Sequence, residues 1–480
     1  MSRVADNEGS AMRTSPWVYL LIALASAPSL AQQLPLPPAH DPGARAGGIG
    51  AGQPLPGLSA DELIFFTNGL ARFNQADSVR GGLPGEAGLG LGPTYNSNSC
   101  GSCHAQPSAG GSSPSANVYP RVGPNPQIAV ATLRGAKNAV PSFLTPDGPV
   151  REVRFPYLLN ADGTLSQNAD GGVHALFTIA GRGDAGACDL PQTDFARMQQ
   201  LGNVSFRIPT PVYGAGLIEN ISDATILANM AANATLKQQL GIGGHTNTNG
   251  NDGSITRFGW KAQNKSLQIF SGEAYNVEMG VTNELFPNER ANPPASCLLN
   301  PTPEDLTNFA LASAEVPSDT VAFSDYMRFL APPAPSTQGV PGNPPPQSFQ
   351  NGQGVFARVH CDTCHTPTLQ TATSIYTPGL SNQNAALYSD LLVHNMGSGL
   401  SDRIAQGAAG PADFRTAPLW GVGQRIFFLH DGRAGPANGG LLAAIRAHAS
   451  PGSEANAVVA QFNSLGNKDQ QDLLNFLRSL

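Results

Sequence analysis

The sequence Cys-x-x-Cys-His occurs twice in the chain, and this repetition constrains the fold more than any other feature. Two thiols at this spacing can both add to the vinyl groups of a haem, and the histidine that follows can reach the iron from the same side. With six cysteines and nine histidines in 480 residues, chance predicts on the order of 0.001 such sequences per chain. We therefore expect two covalently attached c-type haems, one held by Cys100, Cys103 and His104 and the other by Cys361, Cys364 and His365.

Two other interpretations of the cysteine pairs explain less. A thioredoxin-like redox pair belongs in a β-α-β pattern, which surrounds neither pair. One zinc ion shared by both pairs would have four ligands, but it would leave the two histidines without a role. Each pair also has its own flanking sequences, because Asn-Gly-x-x-x-Phe precedes it at 68–73 and at 351–356, and a Phe-Arg sequence follows it at 206–207 and at 414–415. Two separate haem sites are therefore favoured.

The rest of the sequence predicts how these two sites are arranged along the chain. Seven prolines in residues 331–347 predict a semi-rigid linker. It separates a first haem domain at 59–330, which contains a long insertion, from a second haem domain at 348–480. Residues 32–58 are expected to be a flexible N-terminal segment. Helical periodicity dominates, so we predict a mainly α fold of two cytochrome c-like haem domains with long loops and few short strands.

The N-terminus is typical of an exported protein. Residues 17–27 are uncharged and are followed by Ser29-Leu30-Ala31, the small-x-small pattern that signal peptidase cleaves. Because the apolar run is shorter than a spanning helix requires, a cleaved signal peptide at 1–31 is favoured over a stable membrane anchor. We therefore expect a periplasmic protein.

Charge and the two remaining cysteines give further expectations. The net charge of −7, with only 27 lysines and arginines, disfavours nucleic acid as a partner. In an oxidising compartment Cys188 and Cys297 could form a disulfide, and two buried free thiols are the alternative.

In its two Cys-x-x-Cys-His sequences and in several further motifs, the chain resembles the bacterial diheme cytochrome c peroxidase superfamily, most closely its branch of di-haem oxidoreductases. The resemblance covers roughly residues 60–480. Besides the two Cys-x-x-Cys-His sequences, the matching motifs are Gly-Ala-Gly-Leu-Ile-Glu at 214–219, Asn-Val-Glu-Met-Gly at 276–280, His-Asn-Met-Gly at 394–397 and Leu-His-Asp-Gly-Arg-Ala at 429–434.

The resemblance implies roles for particular residues. Glu278 matches the family's distal catalytic glutamate, and Trp260 stands near the place of a tryptophan that relays electrons between the haems. His448 occupies the place of the second haem's sixth ligand, and Thr416 and Pro418 match two carbonyls that hold a calcium ion in the family. From the residues alone, the alternatives are a surface glutamate, a packed tryptophan and a core histidine.

The predicted function follows from these roles. We expect a small oxidant such as hydrogen peroxide to be reduced at the His104 haem, with Glu278 as acid and base. Electrons would come from a periplasmic donor through the His365 haem and Trp260. Two alternatives stay open: an electron carrier in which both irons are six-coordinate, and an oxidase or oxygenase of a larger organic or protein substrate. The long insertion after His104 could build a substrate channel, which would suit an oxidase or oxygenase of a larger substrate.

Overall fold

The fold consists of short helices and very short strands joined by long loops. A computed structural model of the chain describes residues 37–46, 50–113, 124–308, 318–375 and 377–480, and the predicted signal peptide lies outside these residues. The described residues form thirteen α-helices. They are α1 Ala60–Asn74, α2 Cys100–Cys103, α3 Pro126–Val130, α4 Phe195–Gln200, α5 Ala215–Glu219, α6 Asp223–Ala231, α7 Ala234–Leu240, α8 Leu267–Glu278, α9 Asp319–Phe329, α10 Pro346–Arg358, α11 Gly440–Ala447, α12 Asn456–Ser464 and α13 Asn467–Ser479.

Fourteen strands in the same residues pair two by two. They are β1 Asp77–Ser78, β2 Gly88–Leu89, β3 Thr94–Tyr95, β4 Glu152–Arg154, β5 Tyr157–Leu159, β6 Leu165–Ala169, β7 Phe177–Thr178, β8 Ser205–Arg207, β9 Asn247–Thr248, β10 Ile255–Thr256, β11 Leu369–Gln370, β12 Asn384–Ala385, β13 Val393–Asn395 and β14 Asp413–Arg415. The pair β1 and β2 is parallel, whereas β3·β7, β4·β8, β5·β6, β9·β10, β11·β12 and β13·β14 are antiparallel. The predicted helical fold with long loops is confirmed, but the short strands are more numerous than the few we expect.

The repeated Asn-Gly-x-x-x-Phe sequence lies at a helix crossing in each half of the chain. Helix α1 packs on α9, and α10 packs on α13. A side chain at Gly69 would collide with the carbonyl oxygen of Ala322, and one at Gly352 would collide with that of Asp472. Glycine at these two positions therefore lets each pair of helices come close together.

The phenylalanine of the same repeat reaches the histidine of the following Cys-x-x-Cys-His sequence. The ring of Phe73 lies edge-on to His104 with centroids 5.9 Å apart, and the ring of Phe356 lies 6.4 Å from His365. The second repeated sequence also adopts one structure twice, because both of its copies lie in strands, β8 and β14. The internal repeat therefore encodes equivalent parts on the two sides of the molecule.

Two predicted boundaries need correction. Helix α10 begins at Pro346, inside the predicted linker 331–347, because proline is tolerated in the first helical turn, where no amide hydrogen is needed. The segment 32–58 is expected to be flexible, yet its residues 38–46 are held by the C-terminal part of the chain. Asp41 accepts hydrogen bonds from Arg478 at 2.7 and 2.6 Å and from the amide of Leu441 at 2.7 Å.

The disulfide between Cys188 and Cys297 is confirmed, with an S–S distance of 2.01 Å. It joins the loop after β7 to the loop after α8. A search of the described helices for a membrane span finds none of sufficient length and apolar character.

Candidate functional site

The first Cys-x-x-Cys-His sequence lines a cavity of about 1160 Å³, part of which is open to solvent. Helix α2 carries Cys100 and Cys103, and His104 follows it directly. The Nδ1 atom of His104 donates to the carbonyl of Gly111 at 3.1 Å, and burial lowers the pKa of this histidine to about 4. The ring is therefore neutral, with Nε2 left as the free acceptor. Histidines that bind metals are typically held in this way.

The second Cys-x-x-Cys-His sequence lines a larger cavity of about 1480 Å³. His365 donates from Nδ1 to the carbonyl of Tyr388 at 2.9 Å, and burial lowers the pKa of this histidine to about 4. His448, at the end of α11, donates from Nδ1 to the carbonyl of Ala444 at 2.7 Å, and burial lowers its pKa as well. Burial also lowers the pKa of His430 in the same cavity to about 4, so the cavity has three neutral imidazoles, those of His365, His430 and His448.

The walls of both cavities fit a haem. Leu441, Ile445 and His448, which are spaced four and three residues apart at one face of α11, all line the second cavity. The four thiols of the two sequences are free, although the other two cysteines of the chain are oxidised to a disulfide. Each cavity thus offers two thiols, a neutral imidazole beside them and a mostly apolar wall, which is the donor set that a c-type haem needs.

Two partly buried glutamates lie together in the first cavity. Glu278 is the last residue of α8, and its Oε2 accepts a hydrogen bond from Asn96 at 2.8 Å. Glu152 lies on β4, lines the same cavity and interacts directly with Glu278. Burial and the neighbouring charge of Glu152 raise the pKa of Glu278 to about 8. Burial would also raise the pKa of Glu152, but the charges of Arg154 and Arg207 lower it.

These two arginines reach the cavity through the pairing of β4 with β8. Glu152 lies directly opposite Arg207 in this sheet. Arg154 forms an ion pair with Glu152 on one side of the carboxylate pair. Arg207 is held by Asp402 at 2.7 Å, and Asp402 also pairs with Lys261 at 3.1 Å. Glu278 is therefore part of a buried charge network, which excludes the surface glutamate considered above.

Trp260 lies where the cavities approach each other. It lines both the first and the second cavity, and its Nε1 donates to the carbonyl of Ile208 at 3.0 Å. The indole also packs against Phe414 and Phe427 in a small apolar cluster. It therefore packs in a core and at the same time borders both candidate haem sites.

Three further histidines, His360, His394 and His430, line the second cavity. His394 donates from Nε2 to Asp390 at 2.9 Å and from Nδ1 to Glu454 at 2.8 Å. Burial opposes the charged form, but these hydrogen bonds raise the pKa of His394 well above its usual range. Both ring nitrogens therefore have carboxylate partners, and Cys364, Asp390 and His394 offer three possible metal-ligand atoms within 4.8 Å of one another. His430 stacks on Phe414 with ring centroids 4.2 Å apart.

The residues expected to hold calcium line different cavities. Pro418 lines a small cavity of about 620 Å³ between the two larger ones, whereas Thr416 lines the second large cavity. The carbonyl of Thr416 already accepts a hydrogen bond from Ser389 at 2.6 Å. The guanidinium groups of Arg415 and Arg425 line both cavities. Two positive charges beside these carbonyls disfavour a divalent cation, and calcium at Thr416 and Pro418 stays a prediction.

Comparison with known proteins identifies the family. Residues 189–480 match the family model described as "Di-haem oxidoreductase, putative peroxidase". This match covers more than half of the chain and includes the second Cys-x-x-Cys-His sequence and Glu278. The chain therefore belongs to the di-haem oxidoreductase family, and it is an oxidoreductase with two haems.

Similarity to individual proteins is weak. No curated protein matches the chain. Among solved structures, hydrazine synthase of Kuenenia stuttgartiensis shares 17% identity over 35% of this chain and 56% of its own, with a TM-score of 0.21. A MauG-like protein associated with microbial copper homeostasis shares 17% identity over 57% of this chain and 89% of its own, with a TM-score of 0.26. The chain thus spans little more than half of the hydrazine synthase chain.

Sequence reasoning missed several residues of both cavities. It did not single out Glu152, Arg154 and Arg207, because they reach Glu278 only through long-range strand pairing. The charged alternation of Glu152-Val153-Arg154 was the one local signal. Sequence reasoning also gave no role to His394, whose bonds to Asp390 and Glu454 depend on the fold.

Proposed function

We propose that the chain is an exported enzyme that reduces hydrogen peroxide at the His104 haem with electrons supplied through the His365 haem. The difference between the two cavities carries this proposal. Among the described residues, the first cavity is lined by a single histidine and a partly buried carboxylate pair. The second contains His365 and His448 as neutral imidazoles. An iron with an open position can react with a small oxidant, whereas an iron between two imidazoles mainly transfers electrons.

The proposed haem-binding residues follow from the same cavities. Cys100 and Cys103 would hold one haem through thioether bonds, and Cys361 and Cys364 would hold the other. When bound, each haem supplies an iron that exchanges single electrons and, where a position is open, binds a small oxidant. In this proposal residues 59–330 and 348–480 form the two cytochrome c-like haem domains, residues 1–31 direct export to the periplasm, and a periplasmic protein supplies the electrons.

The carboxylate pair would move protons in the reaction. With a raised pKa for Glu278 and a lowered pKa for Glu152, the pair holds one proton at neutral pH. Glu152 can then accept the proton of an entering peroxide while Glu278 donates one to the departing oxygen, which is general acid–base catalysis. Arg154 keeps Glu152 ionised and in place. Trp260, which borders both cavities, is the proposed route for electrons between them.

A single-turnover experiment tests this function. The fully reduced protein is mixed with hydrogen peroxide in a stopped-flow instrument, and oxidation is followed in the haem absorption bands. We expect Glu278→Gln to slow the reaction about 10²–10⁴-fold, the usual contribution of general acid–base catalysis. Glu273→Gln is the matched control, because it makes the same change on the same helix and in the same cavity.

The same samples separate the alternatives. An unchanged rate in Glu278→Gln would refute the assigned role of this residue. Absence of a high-spin haem in every redox state, together with no reaction with peroxide, would indicate an electron carrier. Oxygen-dependent mass changes in a larger substrate, without a fast peroxide reaction, would indicate an oxidase or oxygenase.

A further inference from the structure

Two buried arginines lie where the small central cavity meets the second haem cavity. Arg415 ends β14, and Arg425 lies ten residues further along the chain. Both line both cavities. Arg415 donates from Nε to the carbonyl of Gly259 at 3.1 Å. The Nε and Nη2 atoms of Arg425 are buried and have no hydrogen-bond partner in the part of the chain that the structure describes.

Several other buried arginines of this protein have carboxylate partners. Arg182, Arg207 and Arg478 all have side chains that are at most 4% exposed, and each forms ion pairs. Their partners are Glu86 and Asp184 for Arg182, Asp402 for Arg207 and Asp41 for Arg478. Burying a guanidinium group without an anion is unfavourable. Arg415 and Arg425 have no carboxylate partner among the described residues, so an anion beside them would be favourable.

The cavity walls themselves do not supply that anion. Among the described residues that line the central and second cavities, Glu454 is the single acidic side chain. Its carboxylate is already bonded to His394 and to the backbone amides of Gly243, Gly244 and Asn395. Burial lowers the pKa of both arginines only to about 10, so both stay charged at neutral pH. The central cavity is thus positive and open to an external carboxylate.

We infer that Arg415 and Arg425 bind the propionate carboxylates of the second haem. This inference rests on the proposed attachment of that haem to Cys361 and Cys364, which line the same cavity as both arginines. A haem is apolar except for the two propionates on one edge, and the rest of the cavity wall is mostly aliphatic and aromatic. The arginines mark its polar end, and a planar guanidinium group can donate two parallel hydrogen bonds to one carboxylate.

This assignment also predicts which substitution is tolerated. Lysine keeps the charge but cannot form the paired hydrogen bonds of arginine. Arg425→Lys should therefore retain part of the interaction, whereas Arg425→Gln should lose it. Arg433→Gln is the control, because Arg433 is close in sequence but its side chain is 45% exposed and pairs with Asp431.

Resonance Raman spectroscopy tests the inference directly, because propionate bending bands shift when their hydrogen bonds change. We expect one haem's propionate band to shift in Arg425→Gln and in Arg415→Gln, and to stay unchanged in Arg433→Gln. Potentiometric titration should show a lower reduction potential for the low-spin haem of both cavity variants, because a positive charge beside it has been removed. Arg425→Lys should restore most of the potential but not the band position.

Three results would overturn the inference. The first is an unchanged propionate band in both cavity variants when intact mass shows two attached haems, and this outcome leaves the proposed function untouched. The second is a shift of the wild-type band when acetate or phosphate is added to desalted protein, because the arginines would then bind a free anion. The third is a wild-type protein without attached haem, which would overturn the proposed function as well.

Discussion

Breaking the Cys188–Cys297 disulfide should destabilise the protein by an amount set by the length of the loop that the bond closes. The bond closes a loop with a sequence separation of 109 residues. The chain-entropy relation then gives about 5 kcal/mol of stabilisation at 25 °C. Residues 38–480 form one contact unit, and unfolding a chain of this length has an entropy of roughly 0.9 kcal/mol per kelvin. The expected fall in Tm for a Cys188→Ala, Cys297→Ala double variant is therefore about 5 °C.

Differential scanning calorimetry measures this fall. All samples should contain ascorbate, which keeps the haem irons in one redox state but does not cleave disulfides. Wild-type protein treated with dithiothreitol is the second comparison, because it retains both sulfur atoms and loses only the bond. Equal Tm values for oxidised wild type and the double variant would refute the argument. If the Tm falls in the double variant but not in the reduced wild type, the lost stability comes from packing of the sulfur atoms and not from the bond.

Three further predictions concern the cavities and the charge network. Asp402→Asn should cost about 3–5 kcal/mol in urea unfolding, because it leaves Arg207 buried without its partner, and a loss below about 1 kcal/mol would contradict this. His448→Ala should convert one low-spin iron to high spin in the paramagnetic resonance spectrum of the oxidised protein, and an unchanged spectrum would remove His448 as a ligand. The peroxide rate should fall as pH rises through about 8, where Glu278 loses the proton it donates. In Glu152→Gln this fall should begin at a lower pH, because the charge that raises the pKa of Glu278 is gone. Identical pH–rate profiles of wild type and variant would show that Glu152 does not influence the titration of Glu278.

The site residues that the sequence predicts are those whose role depends on neighbouring positions in the chain. Cys100, Cys103 and His104 lie within five positions, so their common role does not depend on the fold. His448 shares a helix face with Leu441 and Ile445, and helix geometry alone places the three residues on one side. Spacing alone identifies the cysteine and histidine ligands, the family resemblance adds the role of His448, and both segments lie beside a cavity.

The parts not predicted depend on contacts between distant segments. Glu152 meets Arg207 because β4 and β8 pair across a long loop, and no local pattern indicates that register. Asp402 joins Arg207 to Lys261 in the same way. The pKa of Glu278 depends on these groups, so a motif can identify this residue but cannot indicate its protonation state. Single residues on loops carry little periodic signal.

The hydrogen bonds of Asp41 affect the order in which segments of the chain can fold. Its partners Arg478 and Leu441 lie in the last segment of the chain to be synthesised. The segment around Asp41 therefore cannot reach its final position until Leu441 and Arg478 have been synthesised. Contacts between residues so far apart in sequence are slow to form. A chain truncated before α13 would lose the Arg478 anchor of the segment around Asp41 along with that helix.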